Sequence, residues 1–155
     1  MRAKVLLAMT ILIILLLPQV IAEENNVNLT LEASISDTDV GIDKALTSPD
    51  YNSVLIVGAE GYVHLISAKN PGDRSLDVEL NSSRINDLND VSWHPRGEAA
   101  LIAGDLGTAL RYEKIDHGIT LVNGTGSVVG RNLTVVEWRS AGDYAYFGSE
   151  DGEIW

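Results

Sequence analysis

An internal repeat is the feature that most constrains how this chain can fold. Residues 45–66, 91–112 and 136–155 align with one another without gaps inside the copies. One column of the alignment holds Thr or Trp, and another holds glycine 14 positions later: Thr47, Trp93 and Trp138 in the first, and Gly61, Gly107 and Gly152 in the second. The copies are spaced by 46 positions (47 to 93) and then by 45 (93 to 138). A period of this length indicates one supersecondary unit repeated along the chain, with neighbouring units burying each other's apolar faces.

Each copy consists of short apolar runs separated by turn residues, a pattern typical of β-strands. The second copy predicts strands at 88–93, 99–103, 108–113 and 119–122, and the others predict strands at 54–57, 62–67, 76–80, 133–138 and 144–147. Glycine at a fixed turn position supplies the positive φ that tight hairpins need. Four strands in about 45 residues make one blade of a β-propeller. The sequence therefore predicts an all-β chain of about three such blades in an incomplete ring.

The predicted blades cover residues 42–84, 85–130 and 131–155, the last of them truncated. Residues 23–41 form a leader that contains a strictly alternating strand at 27–35, placed where a closing strand could pair with the last blade. Since a propeller has more than three blades and the third copy stops after Glu153, Ile154 and Trp155, we expect an incomplete folding unit. A gene fragment is favoured over a short protomer that builds a ring with its own copies. Residues 23–155 expressed alone should self-associate.

Two segments resemble blades of the WD-repeat (tryptophan–aspartate) and YVTN-type propellers: SPD at 48–50 before an apolar run, and GSEDGEIW at 148–155. The resemblance covers residues 42–155. Where the WD-repeat family has Trp-Asp at the end of the third strand, this chain has Tyr112-Glu113 and Ile66-Ser67, and the family's Gly-His pair is missing from the second and third copies. The resemblance implies a non-catalytic binding or scaffold platform for a protein, peptide or glycan. The alternative is a propeller enzyme, of the glycosidase or quinone-dependent dehydrogenase type, with catalytic residues in further blades.

Residues 1–22 have the organisation of a secretory signal. Arg2 and Lys4 precede an apolar stretch at 5–17, and a small-residue cleavage site ends at Ala22. As a helix at ~1.5 Å per residue, the apolar stretch reaches about 20 Å, which is short of the ~30 Å hydrocarbon layer. A cleaved signal is therefore favoured over a retained anchor. We expect an extracellular, periplasmic or cell-surface protein.

Charge and cysteine content narrow the classes of partner and the means of stabilisation. Loss of Arg2 and Lys4 with the signal changes the net charge from −11 to −13. Nucleic acids and anionic membrane surfaces require a basic patch, so neither is expected as a partner, whereas cations and basic proteins remain compatible. The chain has no cysteine. An exported domain without disulfides depends on packing alone.

The chemistry-bearing residues favour a binding protein over an enzyme. The three histidines lack metal-ligand spacing, and no G-x-S-x-G elbow occurs. Acidic residues recur in the turns before the glycine column: Glu60, Asp105, Glu150 and Asp151. The propeller resemblance places these turns around one mouth of the central channel, where they could bind Ca²⁺ or a basic peptide. Alternatively, they are ordinary turn residues. No other cofactor is expected.

Structural roles are expected for the two repeated columns. We predict that Trp93 and Trp138 are core residues between adjacent sheets, and that Gly61, Gly107 and Gly152 are required by their turns. Four glycosylation sequons begin at Asn28, Asn81, Asn123 and Asn132. Their frequency is what chance gives in a chain rich in Asn, Ser and Thr.

Overall fold

The computed structural model describes residues 41–70, 86–123 and 128–155, and its regular structure there consists of nine strands and short 3₁₀ turns. The all-β prediction is confirmed. The strands are β1 (Ile42–Thr47), β2 (Ser53–Gly58), β3 (Val63–Ser67), β4 (Leu88–Trp93), β5 (Ala99–Gly104), β6 (Thr108–Glu113), β7 (Gly118–Leu121), β8 (Leu133–Trp138) and β9 (Ala145–Ser149). No helix among the described residues is long and apolar enough to cross a membrane.

Consecutive strands pair in antiparallel fashion to form three sheets. Sheet 1 has the order β1-β2-β3, sheet 2 the order β4-β5-β6-β7, and sheet 3 the pair β8-β9. In sheet 3, Ile154 forms an isolated bridge to Gly148 of β9. The predicted signal at 1–22 and the predicted strands at 27–35 and 76–80 lie outside the described residues.

The sequence repeat reappears as a repeat of backbone detail. The first hairpin of every sheet has an irregular register at the same point, between Ile42 and Lys44, Leu88 and Asp90, and Leu133 and Val135. An extra residue on one strand of an antiparallel pair bends that strand and increases its twist. The turn after the first strand also recurs. The N–H of the fourth turn residue donates to the carbonyl of the first, and the fourth residue has positive φ. The donor and acceptor are Tyr51 and Ser48 in sheet 1, Gly97 and His94 in sheet 2, and Gly142 and Arg139 in sheet 3.

Sheet 2 lies between the other two sheets, so both of its faces are largely buried at β4 and β5. One face packs against sheet 1 and the other against sheet 3, forming two apolar clusters. The first contains Leu55, Val57, Leu65, Val91, Trp93, Ile102 and Tyr112, and the second contains Leu101, Ala103, Ala109, Leu133 and Val136. This arrangement explains why β5 is a continuous apolar run and is buried at all its positions.

The first strands of the three sheets are neighbours. β4 contacts both β1 and β8. Lys44 of β1 pairs with Asp90 of β4 at 3.2 Å, and the same carboxylate accepts the Val136 N–H of β8 at 2.9 Å. Trp93 Nε1 donates to the Leu46 carbonyl of sheet 1 at 3.0 Å. These polar contacts fix the register of each sheet on the next, which apolar packing alone specifies less well.

Candidate functional site

In sheets 1 and 2, the acidic turns identified from the sequence join the second and third strands, and in sheet 3 Glu150 and Asp151 follow β9. In sheet 1, Glu60 and Gly61 both have positive φ (+55° and +74°), and the Tyr62 N–H donates to the Ala59 carbonyl at 3.1 Å. In sheet 2, Leu106 and Gly107 repeat this geometry at +53° and +77°. Two successive central residues with positive φ define a type I′ turn, whose twist matches that of the strands it joins.

A hydrogen bond links each of these turns to the start of the following sheet. The Glu60 N–H donates to Asp87 Oδ1 at 2.9 Å, and the Leu106 N–H donates to Asn132 Oδ1 at 3.2 Å. Asp87 and Asn132 are equivalent, since each precedes the first strand of its sheet. The turns of neighbouring sheets therefore lie at the same end of the molecule. We call this end the turn rim.

The carboxylates on the turn rim have separate partners. Asp105 Oδ1 accepts the Asn89 amide at 2.9 Å, and Glu150 Oε1 accepts the Asn132 amide at 3.0 Å. Asp151 pairs with the Arg131 guanidinium at 2.9 Å. Within residues 41–70, 86–123 and 128–155, no three His, Asp or Glu side chains are grouped so that they could hold a metal ion. The described structure thus gives no cluster that supports Ca²⁺ binding by these turns.

The turn rim carries an apolar patch that the sequence reasoning missed. Leu106, at the tip of its turn, is 57% exposed, and Val129 is 71% exposed. Their backbones are adjacent, because the Gly130 N–H donates to the Leu106 carbonyl at 3.3 Å. We call Leu106 and Val129 the rim patch. The sequence does contain a signal of this patch: in the tripeptide Asp105-Leu106-Gly107, leucine occupies the turn position before glycine where Asn or Asp is usual.

The backbone of Leu106 is strained, and its exposed side chain gains no burial energy that would offset this strain. Left-handed φ costs an ordinary L-residue roughly 1–2 kcal/mol, and Asn, Asp and Gly adopt it most readily. Leu106 has φ +53° and ψ +31°. Strained residues that the surrounding structure holds in place concentrate at functional sites. The rim patch is therefore a candidate contact surface in the described part of the chain.

The histidines occupy three separate structural positions. His64 is buried in β3 and stacks on Tyr62, with ring centroids 5.9 Å apart. His117 Nδ1 lies 2.8 Å from the Tyr112 hydroxyl. His94, buried after β4, contacts sheet 3: its Nδ1 accepts the Arg96 N–H at 3.2 Å, so its Nε2 carries the hydrogen and donates to the Gly142 carbonyl at 3.0 Å.

Two titratable groups are clearly shifted, and both shifts arise from structural contacts. Burial, together with the charge of Asp116, raises the pKa of Tyr112 to about 12. The Lys114 ammonium, 2.5 Å from the Asp50 carboxylate, holds the pKa of that carboxyl well below its usual range, with help from Ser48 and Asn52. Asp50 belongs to the first turn of sheet 1, and Lys114 follows β6. This ion pair therefore joins two sheets.

The two tryptophans lie between sheets but differ in burial. Trp93 is 6% exposed and packs edge-on against Tyr112, with centroids 5.6 Å apart. Trp138 is half-buried and packs edge-on against His94 at 4.8 Å. Its indole N–H is buried without a hydrogen-bond acceptor among the described residues. The glycine column has positive φ throughout, with Gly152 at +83°.

Asn132 is also a predicted sequon residue, and its side chain is occupied. It accepts the Leu106 N–H and donates to Glu150. A glycan on Asn132 would disrupt both contacts. Asn123 is exposed, and Asn28 and Asn81 lie outside the described residues.

Comparison with known proteins adds no relative from which a function could be transferred. No family model matches the chain, and no curated protein matches it. The WD-repeat and YVTN resemblance stays a prediction.

Proposed function

We propose that this chain is an exported propeller-type repeat protein and acts as a non-catalytic binding platform, with the rim patch as its contact surface. The observation that carries the proposal is Leu106. Its apolar side chain is exposed at the tip of a turn and held in a backbone conformation that leucine disfavours. A ligand that buried this side chain would recover hydrophobic free energy that the free protein does not gain.

The propeller architecture is supported by recurrence between sheets. The first strands are neighbours, the bulge recurs in every first hairpin, and equivalent hydrogen bonds link successive sheets. Units that contact only their neighbours, with the same contacts each time, are characteristic of radially or linearly repeated folds. The angle between neighbouring sheets distinguishes a radial repeat from a linear one.

The chemistry of the rim favours a protein or peptide partner over a glycan. Leu106 and Val129 present aliphatic rather than aromatic surface. Exposed Glu60 lies on the same rim, and the whole chain has a net charge of −11. The partner that fits is a segment with one apolar side chain flanked by Lys or Arg, because the acidic field would attract the cations while the patch buries the apolar group.

Fluorescence anisotropy with labelled peptides tests this proposal. We expect the full chain to bind peptides that combine leucine with lysine more tightly than matched peptides of leucine with glutamate. Leu106→Asn should weaken this binding at least tenfold without unfolding the protein, because Asn accepts left-handed φ. Ile115→Asn is the matched control, since Ile115 is 93% exposed in the turn between β6 and β7. Equal binding by both variants, or no preference for the basic peptide, would contradict the proposal.

Export is tested independently by expressing the full chain in a secreting host. We expect the protein outside the cytoplasm with Glu23 as its first residue, as determined by intact mass. Retention of residues 1–22 would favour the anchored alternative.

A further inference from the structure

On the turn rim, Asp87 joins the turn of sheet 1 to the turn of sheet 2. Its Oδ1 accepts the Glu60 N–H, and its backbone carbonyl accepts the Asp105 N–H, both at 2.9 Å. Glu60 and Asp87 are exposed, and Asp105 is half-buried. We call these three residues the acidic junction. Since Asp105 directly precedes Leu106 in the chain, the acidic junction borders the rim patch.

Asn132 makes the equivalent connection between the turns of sheets 2 and 3. Its Oδ1 accepts the Leu106 N–H at 3.2 Å, and its backbone carbonyl accepts the Glu150 N–H at 3.1 Å. We call Arg131, Asn132, Glu150 and Asp151 the paired junction. Leu106 therefore lies between two junctions with the same backbone hydrogen bonds, one bridged by an anionic side chain and the other by a neutral one.

The carboxylates of the two junctions differ in their partners. In the paired junction, the Arg131 guanidinium lies 2.9 Å from Asp151 and 3.3 Å from the neighbouring Glu153, and Glu150 accepts the Asn132 amide. Among the residues that the structure describes, no Lys or Arg forms an ion pair with a carboxylate of the acidic junction. A cationic side chain of a partner would therefore gain more at the acidic junction than at the paired junction.

The size of the acidic junction suits a peptide that lies across the turn rim. Stacked sheets lie about 10 Å apart and an extended chain advances about 3.3 Å per residue, so about three residues of a peptide span one junction. In the described part of the chain, no three acidic side chains are grouped so that they could hold a metal ion. Spread carboxylates of this kind suit the long, mobile side chain of Lys or Arg.

We propose that the acidic junction is a specificity subsite of the rim patch. It selects partner segments in which Lys or Arg stands about three residues from the apolar side chain that Leu106 and Val129 contact. This inference rests on the proposed function of the rim patch, and adds that the cation binds on one side of Leu106. A general acidic field would attract a cation at any position of the partner segment, whereas a subsite depends on its position.

Fluorescence anisotropy on the full chain with two labelled peptides of equal composition tests the subsite. Each peptide contains one leucine and one lysine, three residues apart in the first and eight residues apart in the second. The second spacing places the lysine roughly 26 Å from the leucine, well beyond the Debye length of ~10 Å at an ionic strength of about 0.1 M. We expect the first peptide to bind about three- to fivefold more tightly, as for an exposed ion pair.

Three substitutions locate the subsite. Glu60→Gln should reduce the preference for the first peptide to less than about twofold. Asp87→Asn should also reduce it, and it retains the oxygen that accepts the Glu60 N–H, so the turn is preserved. Glu150→Gln is the matched control, because it removes the same charge on the other side of Leu106 and keeps an oxygen that can accept the Asn132 amide. It should leave the preference unchanged.

Equal affinity of the native chain for the two peptides would overturn the subsite. So would a preference that survives Glu60→Gln, or one that Glu150→Gln reduces equally. In each of these cases the rim patch itself would still stand if Leu106→Asn weakened the binding of both peptides. Binding that is insensitive to Leu106→Asn would instead overturn the rim patch, and the subsite with it.

Discussion

Gly142 and Gly152 share a left-handed backbone but have different surroundings. A Cβ atom on Gly142 (φ +76°) would lie 2.5 Å from His94 Nε2, whereas one on Gly152 (φ +83°) would meet nothing within 4 Å. Both glycines are therefore required by backbone conformation, and Gly142 is also required by the packing of sheet 2 on sheet 3.

Alanine at these two positions separates the two effects. Gly152→Ala should lower the free energy of unfolding by about 1 kcal/mol, from backbone strain alone. Gly142→Ala should cost a further ~1–3 kcal/mol because its methyl group displaces the His94 ring. Urea denaturation of both variants measures the difference. Equal losses would mean that His94 moves aside freely.

Tyr112 makes the protein sensitive to alkaline pH. Its pKa is raised to about 12 in the folded state, against an ordinary value of 10.0. The folded state thus holds this proton more tightly than the unfolded state. The resulting stabilisation is complete below pH 10 and is lost as the pH rises towards 12. We expect the melting temperature to fall in that range, and to fall less steeply in Tyr112→Phe, which has no hydroxyl to ionise. Parallel profiles for the two proteins would contradict this assignment.

At the scale of elements, Asp90 connects the first strands of all three sheets. Its carboxylate pairs with Lys44 of β1 and accepts the Val136 N–H of β8. Asp90→Ala should lower the free energy of unfolding by about 1–3 kcal/mol, because it leaves a buried N–H without an acceptor. Lys44→Ala should cost under about 1 kcal/mol, since that side chain is substantially exposed. Chemical denaturation of both variants tests this order, and a larger loss in Lys44→Ala would reverse our interpretation.

The ion pair between Asp50 and Lys114 adds a second link between sheets 1 and 2, and it depends on pH in the acid range. The folded-state pKa of Asp50 lies below the ordinary 3.8. The stabilisation is therefore present above pH ~4 and is lost as the pH falls below that value. Asp50→Asn should destabilise the protein most at neutral pH and by a smaller amount near pH 2, as thermal melts at both pH values would show.

At the scale of the whole molecule, the position of a sheet in the stack determines how much stability is lost when one of its core residues is truncated. Sheet 2 is covered on both faces and sheet 3 on one. Trp93→Ala removes a buried indole and its bond to the Leu46 carbonyl, so it should cost ~3–5 kcal/mol. Trp138→Ala removes a half-buried ring whose N–H has no acceptor among the described residues, and should cost less. Calorimetry on the full chain tests this ranking. Equal melting temperatures of the two variants would show that Trp93 and Trp138 contribute equally to stability.

Local chemistry was sufficient to locate most strands. The predicted strands at 88–93, 108–113 and 133–138 match β4, β6 and β8 residue for residue, because a turn-forming residue precedes each of them: Asp87, Gly107 and Asn132. The positive φ expected for the glycine column is also observed. Both features depend on residues close in sequence, and the internal repeat supplied each of them three times.

Packing between sheets determines which faces are covered and what each polar group contacts. Asp90 resembles any polar residue in a strand, yet it is buried because its partners are 46 residues away on either side, on β1 and β8. The acidic turn residues share a pattern in the sequence, but they have separate partners because each turn contacts the start of a different strand. The Asp-Leu-Gly turn is visible in the sequence, but the exposure of Leu106 is not, since it depends on where the surrounding sheets place the turn. The repeat, the strands and the turns follow from the conformational preferences of residues that are close in sequence. The stacking of the sheets produces the buried polar links and the rim patch, because each of these depends on atoms that only folding brings together.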